Sequence, residues 1–202
     1  MTDEATRWSR FAALLSPDRA QEVMDCRAIG EQEAGLDLLV GGLLADGVAI
    51  SETTRAEIAV ASELWGVWPA LEPDIRRCRS QEQDRSRGRE QDRSRGRDEV
   101  SLRLIEPSGT APLDGSAIGP QAALAGLSVV PWIVCDRCGH TLGRACIREP
   151  WGELSFMAQS YVLYFPGRRA STTLFDTAAA WSAVDTVRLS CGRASSPRPT
   201  AG

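Results

Sequence analysis

An exact tandem octapeptide, Glu82-Gln-Asp-Arg-Ser-Arg-Gly-Arg89 repeated as Glu90-Gln-Asp-Arg-Ser-Arg-Gly-Arg97, divides this chain in two. It contains no apolar residue, so it can bury nothing and reads as a disordered, solvated linker. Its acids nearly cancel its arginines, and no aromatic side chain is present to stack on a base, which argues against a nucleic-acid tail. A second stretch rich in turn formers, from Glu106 through Pro107, Gly109, Pro112 and Gly115 to Pro120, prolongs the hinge. The expected architecture is α+β in two modules. An all-α helical bundle occupies 1–78, a flexible linker 79–125, a small α+β domain 126–190 and a disordered tail 191–202.

Composition removes whole classes of chemistry. All 23 basic residues are arginine, so Schiff-base, Walker A and general-base lysines are excluded. His140 is the one histidine of the 202 residues, and no Gly-x-Ser-x-Gly elbow accompanies it. The chain is therefore expected not to be an enzyme. The polar, acidic start Met1-Thr-Asp-Glu-Ala-Thr-Arg-Trp8 lacks the pattern of a secretory signal. The longest apolar stretch, Leu36 to Ile50, is interrupted by Asp37 and Asp46 and is too short for a membrane span. Six dispersed cysteines without an export signal favour a reduced, cytoplasmic setting over a disulfide framework.

Charge is segregated. Residues 1–78 hold 14 acids and 7 arginines, a net of −7, whereas 102–202 hold 7 acids and 9 arginines, a net of +2. The acidic module reads as consecutive helices. Trp8, Phe11, Leu14 and Leu15 recur at helical spacing, and Ser16-Pro17-Asp18 opens a second helix with an N-cap and an N1 proline. A third shows Leu36, Leu39, Val40 and Leu43 at i, i+3, i+4 and i+7 and stops near Asp46-Gly47. Ser51 caps a fourth, whose face carries Ile58, Ala61, Leu64 and Trp65 before Gly66 closes it. Gly41-Gly42 inside the third helix is expected to permit close helix approach.

The run Gly30-Glu-Gln-Glu-Ala-Gly-Leu-Asp-Leu-Leu39, then Gly47-Val-Ala-Ile-Ser51, then Ile58 through Leu64-Trp65-Gly66, resembles the MafI family of immunity proteins over residues 8–68. The resemblance implies a short helical protein that neutralises a cognate toxin by binding it, and it brings no catalytic residues. A net of −7 suits a basic partner, because opposite fields steer association and many nucleic-acid-cutting toxins are basic. Glu31, Glu33, Asp37 and Asp46, along or beside the third helix, are the candidate partner-binding residues. The partner expected is thus a protein, with nucleic acid and membrane disfavoured.

From Leu127 the pattern becomes strand-like. Val129 to Val134 leads into Cys135-Asp-Arg-Cys138-Gly-His140, and Leu142–Ile147 and Ser160–Phe165 read as further strands. Phe175 to Val187 reads as a helix. Trp132, Trp151, Trp181, Tyr161 and Tyr164 read as its core. Cys-x-x-Cys-Gly after a strand has the shape of a zinc knuckle, in which a tight turn aims two thiolates at one metal. His140, Cys146 and Cys191 are available to complete it. The candidate metal set is Cys135, Cys138, His140 and Cys146, since Cys146 returns on the next strand, and zinc is the candidate cofactor. The alternative function is then a zinc-knuckle regulatory or nucleic-acid adaptor presenting Arg144, Arg148, Arg168 and Arg169. A thioredoxin-like use is disfavoured because a second strand, not a helix, is expected to follow the pair.

Overall fold

The computed structural model describes residues 4–82, 101–106, 111–118, 122–166 and 168–193. The tandem octapeptide beyond Glu82 and the residues after Arg193 lie outside them. Helix and sheet are both present, and the chain forms two units, Met1–Arg97 and Asp98–Gly202. No helix of the described residues is long and apolar enough to cross a membrane.

Among the described residues of the first unit five helices follow one another: α1 (Glu4–Ala12), α2 (Pro17–Ala28), α3 (Gln32–Ala45), α4 (Glu52–Leu64) and α5 (Trp68–Arg77). Pro17 stands at the start of α2, where its missing N–H costs nothing, although the Ser16 side chain makes no capping bond. Ser51 does cap α4, its hydroxyl accepting from the Thr54 amide at 3.0 Å. Gly47 and Gly66 end α3 and α4 at φ +60° and +71°, the left-handed conformation that favours glycine. Trp8, Phe11, Leu36, Leu39, Leu43, Ile58 and Ile75 fill the core. A two-residue parallel pair, β1 (Ala49–Ile50) with β2 (Arg79–Ser80), carries the unit past the expected boundary at 78 and adds a sheet element to its helices.

The two adjacent glycines of α3 differ in role. A Cβ on Gly42 would stand 3.0 Å from Leu15 Cδ2, whereas one on Gly41 would meet nothing within 4 Å. Close approach therefore explains only Gly42. Gly41→Ala is expected to stabilise the unit by about 0.5–1 kcal/mol, because alanine restricts the unfolded chain at no steric cost. Urea unfolding followed by circular dichroism tests this, and an unchanged or lowered midpoint would refute it.

The second unit is built on an antiparallel sheet in the order β3 (Leu102–Leu104), β5 (Leu127–Cys135), β6 (Thr141–Ile147), β7 (Ser160–Phe165), β8 (Arg168–Asp176), with β4 (Leu113–Asp114) also on β5. Pro131 lies inside β5, which strands usually forbid for want of an N–H. It is tolerated because β4 pairs with residues 128–129 and β3 with 133–135, leaving a gap beside it, and because the ladder to β6 shifts between Pro131 and Ile133.

One sheet face is covered by a short helix α6 (Gly115–Ile118) and a 3-10 turn, Ala122–Leu124. Ile118 and Leu124 pack there with Val129, Ala145, Val162 and Tyr164. The opposite face, with Ile133, Cys135, Leu142 and Leu163, receives the C-terminal helix α7 (Ala180–Arg193). α7 buries Ala180, Ala183, Val184, Val187 and Cys191. Trp132 and Tyr161 are buried and stack with ring centroids 6.1 Å apart, and Tyr164 is buried too; Trp151, however, is 71% exposed on the β6–β7 connection.

Three sequence expectations are corrected here. Residues 79–125 are not a linker throughout, because β2, β3, β4, α6 and the 3-10 turn fall within them. Such two- to four-residue elements are held by partners distant in sequence, so no local period announces them. The tail expected from 191 begins inside α7. The helix expected from Phe175 starts at Ala180, since Phe175 and Asp176 pair with Tyr161 and Ser160 as the end of β8.

Burial pushes the Tyr164 phenol up to about 12 from an ordinary value of 10. The folded value exceeds the unfolded one, so this contribution is complete below about pH 10 and is lost as pH rises toward about 12, at no more than about 1.4 kcal/mol per pH unit. Tyr164→Phe is expected to flatten that part of the alkaline loss. Unfolding of both proteins at about pH 9 and about pH 11 measures it, and parallel losses would refute it.

Candidate metal centre

The β5–β6 connection is a tight turn closed at both ends. The Cys135 amide donates to the His140 carbonyl at 3.0 Å, and the Gly139 amide to the Cys135 carbonyl at 2.9 Å. Gly139 takes φ +73°, so the chain can reverse there. The turn brings the Cys138 sulfur back toward that of Cys135, which is fully buried at the end of β5.

A third thiol arrives from the other end of the unit. Cys191, in the last turns of α7 and 1% exposed, places its sulfur 3.5 Å from that of Cys135. The sulfurs of Cys135, Cys138 and Cys191 all lie within 4.8 Å of one another. Nδ1 of the half-buried His140 stands 3.2 Å from the Cys138 sulfur, and its ring meets Phe165 edge-on at 5.5 Å.

The three thiols hold their protons unequally. For Cys135 burial opposes ionisation, but the Cys138 amide and thiol, the Arg137 amide and the Cys191 thiol hydrogen-bond its sulfur and bring it below the ordinary value. Cys138 is raised, chiefly by burial, although the His140 amide bonds its sulfur. Cys191 is pushed up to about 12, first by burial and then by its hydrogen bonds with the other two sulfurs. Cys135 is thus the most readily ionised of the three thiols.

Cys191 takes the place expected of Cys146. Cys146 lies opposite Ser128 in the ladder, with its sulfur 3.9 Å from the Arg144 carbonyl. It is five residues along β6 from Thr141, about 17 Å at strand spacing, and cannot join the cluster. The signal for Cys191 was the period of its helix: Ala180, Val184, Val187 and Cys191 form one stripe, so a thiol there faces the sheet.

The acids of the first unit do not converge to the same degree. Glu33 and Asp37 are exposed one turn apart on α3, opposite the buried stripe of Leu36, Leu39, Val40 and Leu43. Glu31 occupies the N-cap of α3, and Asp46, just beyond its end, pairs with Arg19 at 3.6 Å. Of the arginines of the second unit, Arg144 donates to the Phe156 carbonyl and lies over Trp132, and Arg148 donates to the Gly152 carbonyl at 2.7 Å. No protein-family model, no curated protein and no solved structure matches the chain.

Proposed function

We propose that the chain is a non-catalytic binding protein that neutralises a basic protein partner, a toxin of the kind countered by MafI immunity proteins, through the acidic surface of its helical unit. The observation that carries this reading is the exposed pair Glu33 and Asp37 on α3, set in a segment with a net charge of −7 over residues 1–78. Two carboxylates one turn apart on the solvent side of a well-anchored helix offer paired acceptors to arginine or lysine, and the surrounding field speeds encounter. The resemblance over residues 8–68 supports the partner class.

The adaptor alternative has less support. Arg144 and Arg148 spend donors on loop carbonyls, which ties them to the β6–β7 connection rather than to a phosphate backbone.

The test is binding of the full-length chain to the basic effector proteins encoded beside its gene, measured at low and high salt. Nanomolar binding is expected, weakened at least tenfold by Glu33→Gln with Asp37→Asn and weakened by salt. Absence of binding, or equal binding by the neutralised variant, would overturn the reading.

A further inference from the structure

We propose that Cys135, Cys138 and Cys191, with His140 as the fourth ligand, bind one zinc ion that fastens the C-terminal helix to the sheet. The proposal is independent of the partner reading, since every ligand lies in the second unit.

Spacing is the first support. With zinc–sulfur bonds of about 2.3 Å, the edges of a tetrahedron joining two sulfurs are about 3.8 Å long. Cys135 and Cys191 are 3.5 Å apart, and every sulfur pair is within 4.8 Å. The fourth corner is reached from Cys138, where His140 Nδ1 stands at 3.2 Å, close to a nitrogen–sulfur edge. His140 stands outside the group of three sulfurs that lie within 4.8 Å of one another, so its half-buried side chain has to rotate toward them to complete the set.

Second, the turn already supplies what a thiolate ligand requires. The amides of Arg137 and Cys138 point at the Cys135 sulfur, and the amide of His140 at the Cys138 sulfur. Backbone donors aimed at sulfur offset charge on a metal-bound thiolate and orient it.

Third, the other uses of these thiols fit less well. A disulfide between Cys135 and Cys191 would require closing 3.5 Å to about 2.05 Å and would leave Cys138 beside it unused. Redox Cys-x-x-Cys pairs sit at a helix N-terminus, whereas β6 follows this one. Cys26, Cys78 and Cys146 lie outside the cluster, so the convergence selects three thiols of the six.

On binding, the three thiols release their protons and coordinate as thiolates, while neutral His140 donates the Nδ1 lone pair and keeps its proton on Nε2. Three thiolates around Zn²⁺ leave a site charge of −1. Four protein ligands close the coordination sphere, which makes the ion structural and leaves no open position for catalysis.

The experiment is metal analysis of the full-length chain purified under reducing conditions, followed by titration of the metal-stripped protein with zinc and with cobalt. One zinc per chain is expected, with cobalt giving tetrahedral ligand-field bands and thiolate charge-transfer absorption. Cys191→Ser is expected to lose zinc, and Cys146→Ser to retain it with unchanged affinity. Since Cys191→Ser could unfold α7, His140→Ala provides the second arm: it leaves the three sulfurs in place and is expected to weaken zinc at least tenfold. A wild-type chain that takes up no zinc, a Cys135–Cys191 disulfide in the reduced preparation, zinc binding lost in Cys146→Ser, or unchanged affinity in His140→Ala would each overturn the assignment.

Discussion

Arg55→Ala is expected to destabilise the helical unit by about 3–5 kcal/mol, the range for removing one partner of a buried charged network. Arg55 is 5% exposed and reaches from α4 to the end of α5. There its guanidinium donates to the carbonyls of Ile75, Arg76 and Cys78, while Nε donates to Glu52. Those carbonyls are the groups that a helix C-terminus leaves without internal partners, and a cation there also complements the helix dipole. Truncation would strand buried acceptors, whereas Arg55→Lys keeps the charge but not the planar fork and is expected to recover only part of the loss. Chemical denaturation followed by the helical circular dichroism signal decides the matter. A loss below about 1 kcal/mol would show that water satisfies those carbonyls.

Gly143→Ala is expected to cost the second unit about 1–3 kcal/mol, the usual range for overpacking. Gly143 sits mid-β6 between Pro131 and Val162, and a Cβ there would come within 2.6 Å of Val129 Cγ1 and 3.3 Å of the Val130 carbonyl. Val129 is fully buried and β-branched, so it has no easy rotamer to yield into, and the carbonyl belongs to the paired strand. Alanine therefore strains β5 beside its bulge. The thermal midpoint of the second unit is expected to fall, and a midpoint equal to wild type would mean that the bulge absorbs the methyl.

Legibility in the sequence followed the range of the interactions that make each element. The stripe of α3, the Ser51 cap and the stops at Gly47 and Gly66 depend on residues within a turn of each other, and they could be read directly. α5 could not, because Pro69 and Pro73 break the expected pattern. Pro69 falls in the first turn, and Pro73 lies inside the helix. β3 and β4 exist only by pairing with β5, 29 to 33 and 14 to 16 residues away, and their two or three residues carry too little alternation to stand out. At the thiol cluster, Cys135 and Cys138 were visible as a local spacing. Cys191 was among the available completions, but Cys146 was preferred because it is nearer along the chain and because order was expected to end near 190. Arg55 illustrates the same limit: nothing near it in sequence marks it as the cap of another helix.

The position of Cys191 has a kinetic consequence. Its partner Cys135 precedes it by 56 residues, with β6, β7 and β8 all laid down between them. If zinc binds as proposed, two thiols in one turn can capture it early, and the third takes its native place only with α7 docked on the sheet. Complete coordination would therefore be the final event in assembling this unit. A spectroscopic ion such as cobalt would then act as a clock for native docking, its tetrahedral signal lagging the appearance of sheet. Loss of that signal on dilution into denaturant would time the first detachment of the helix.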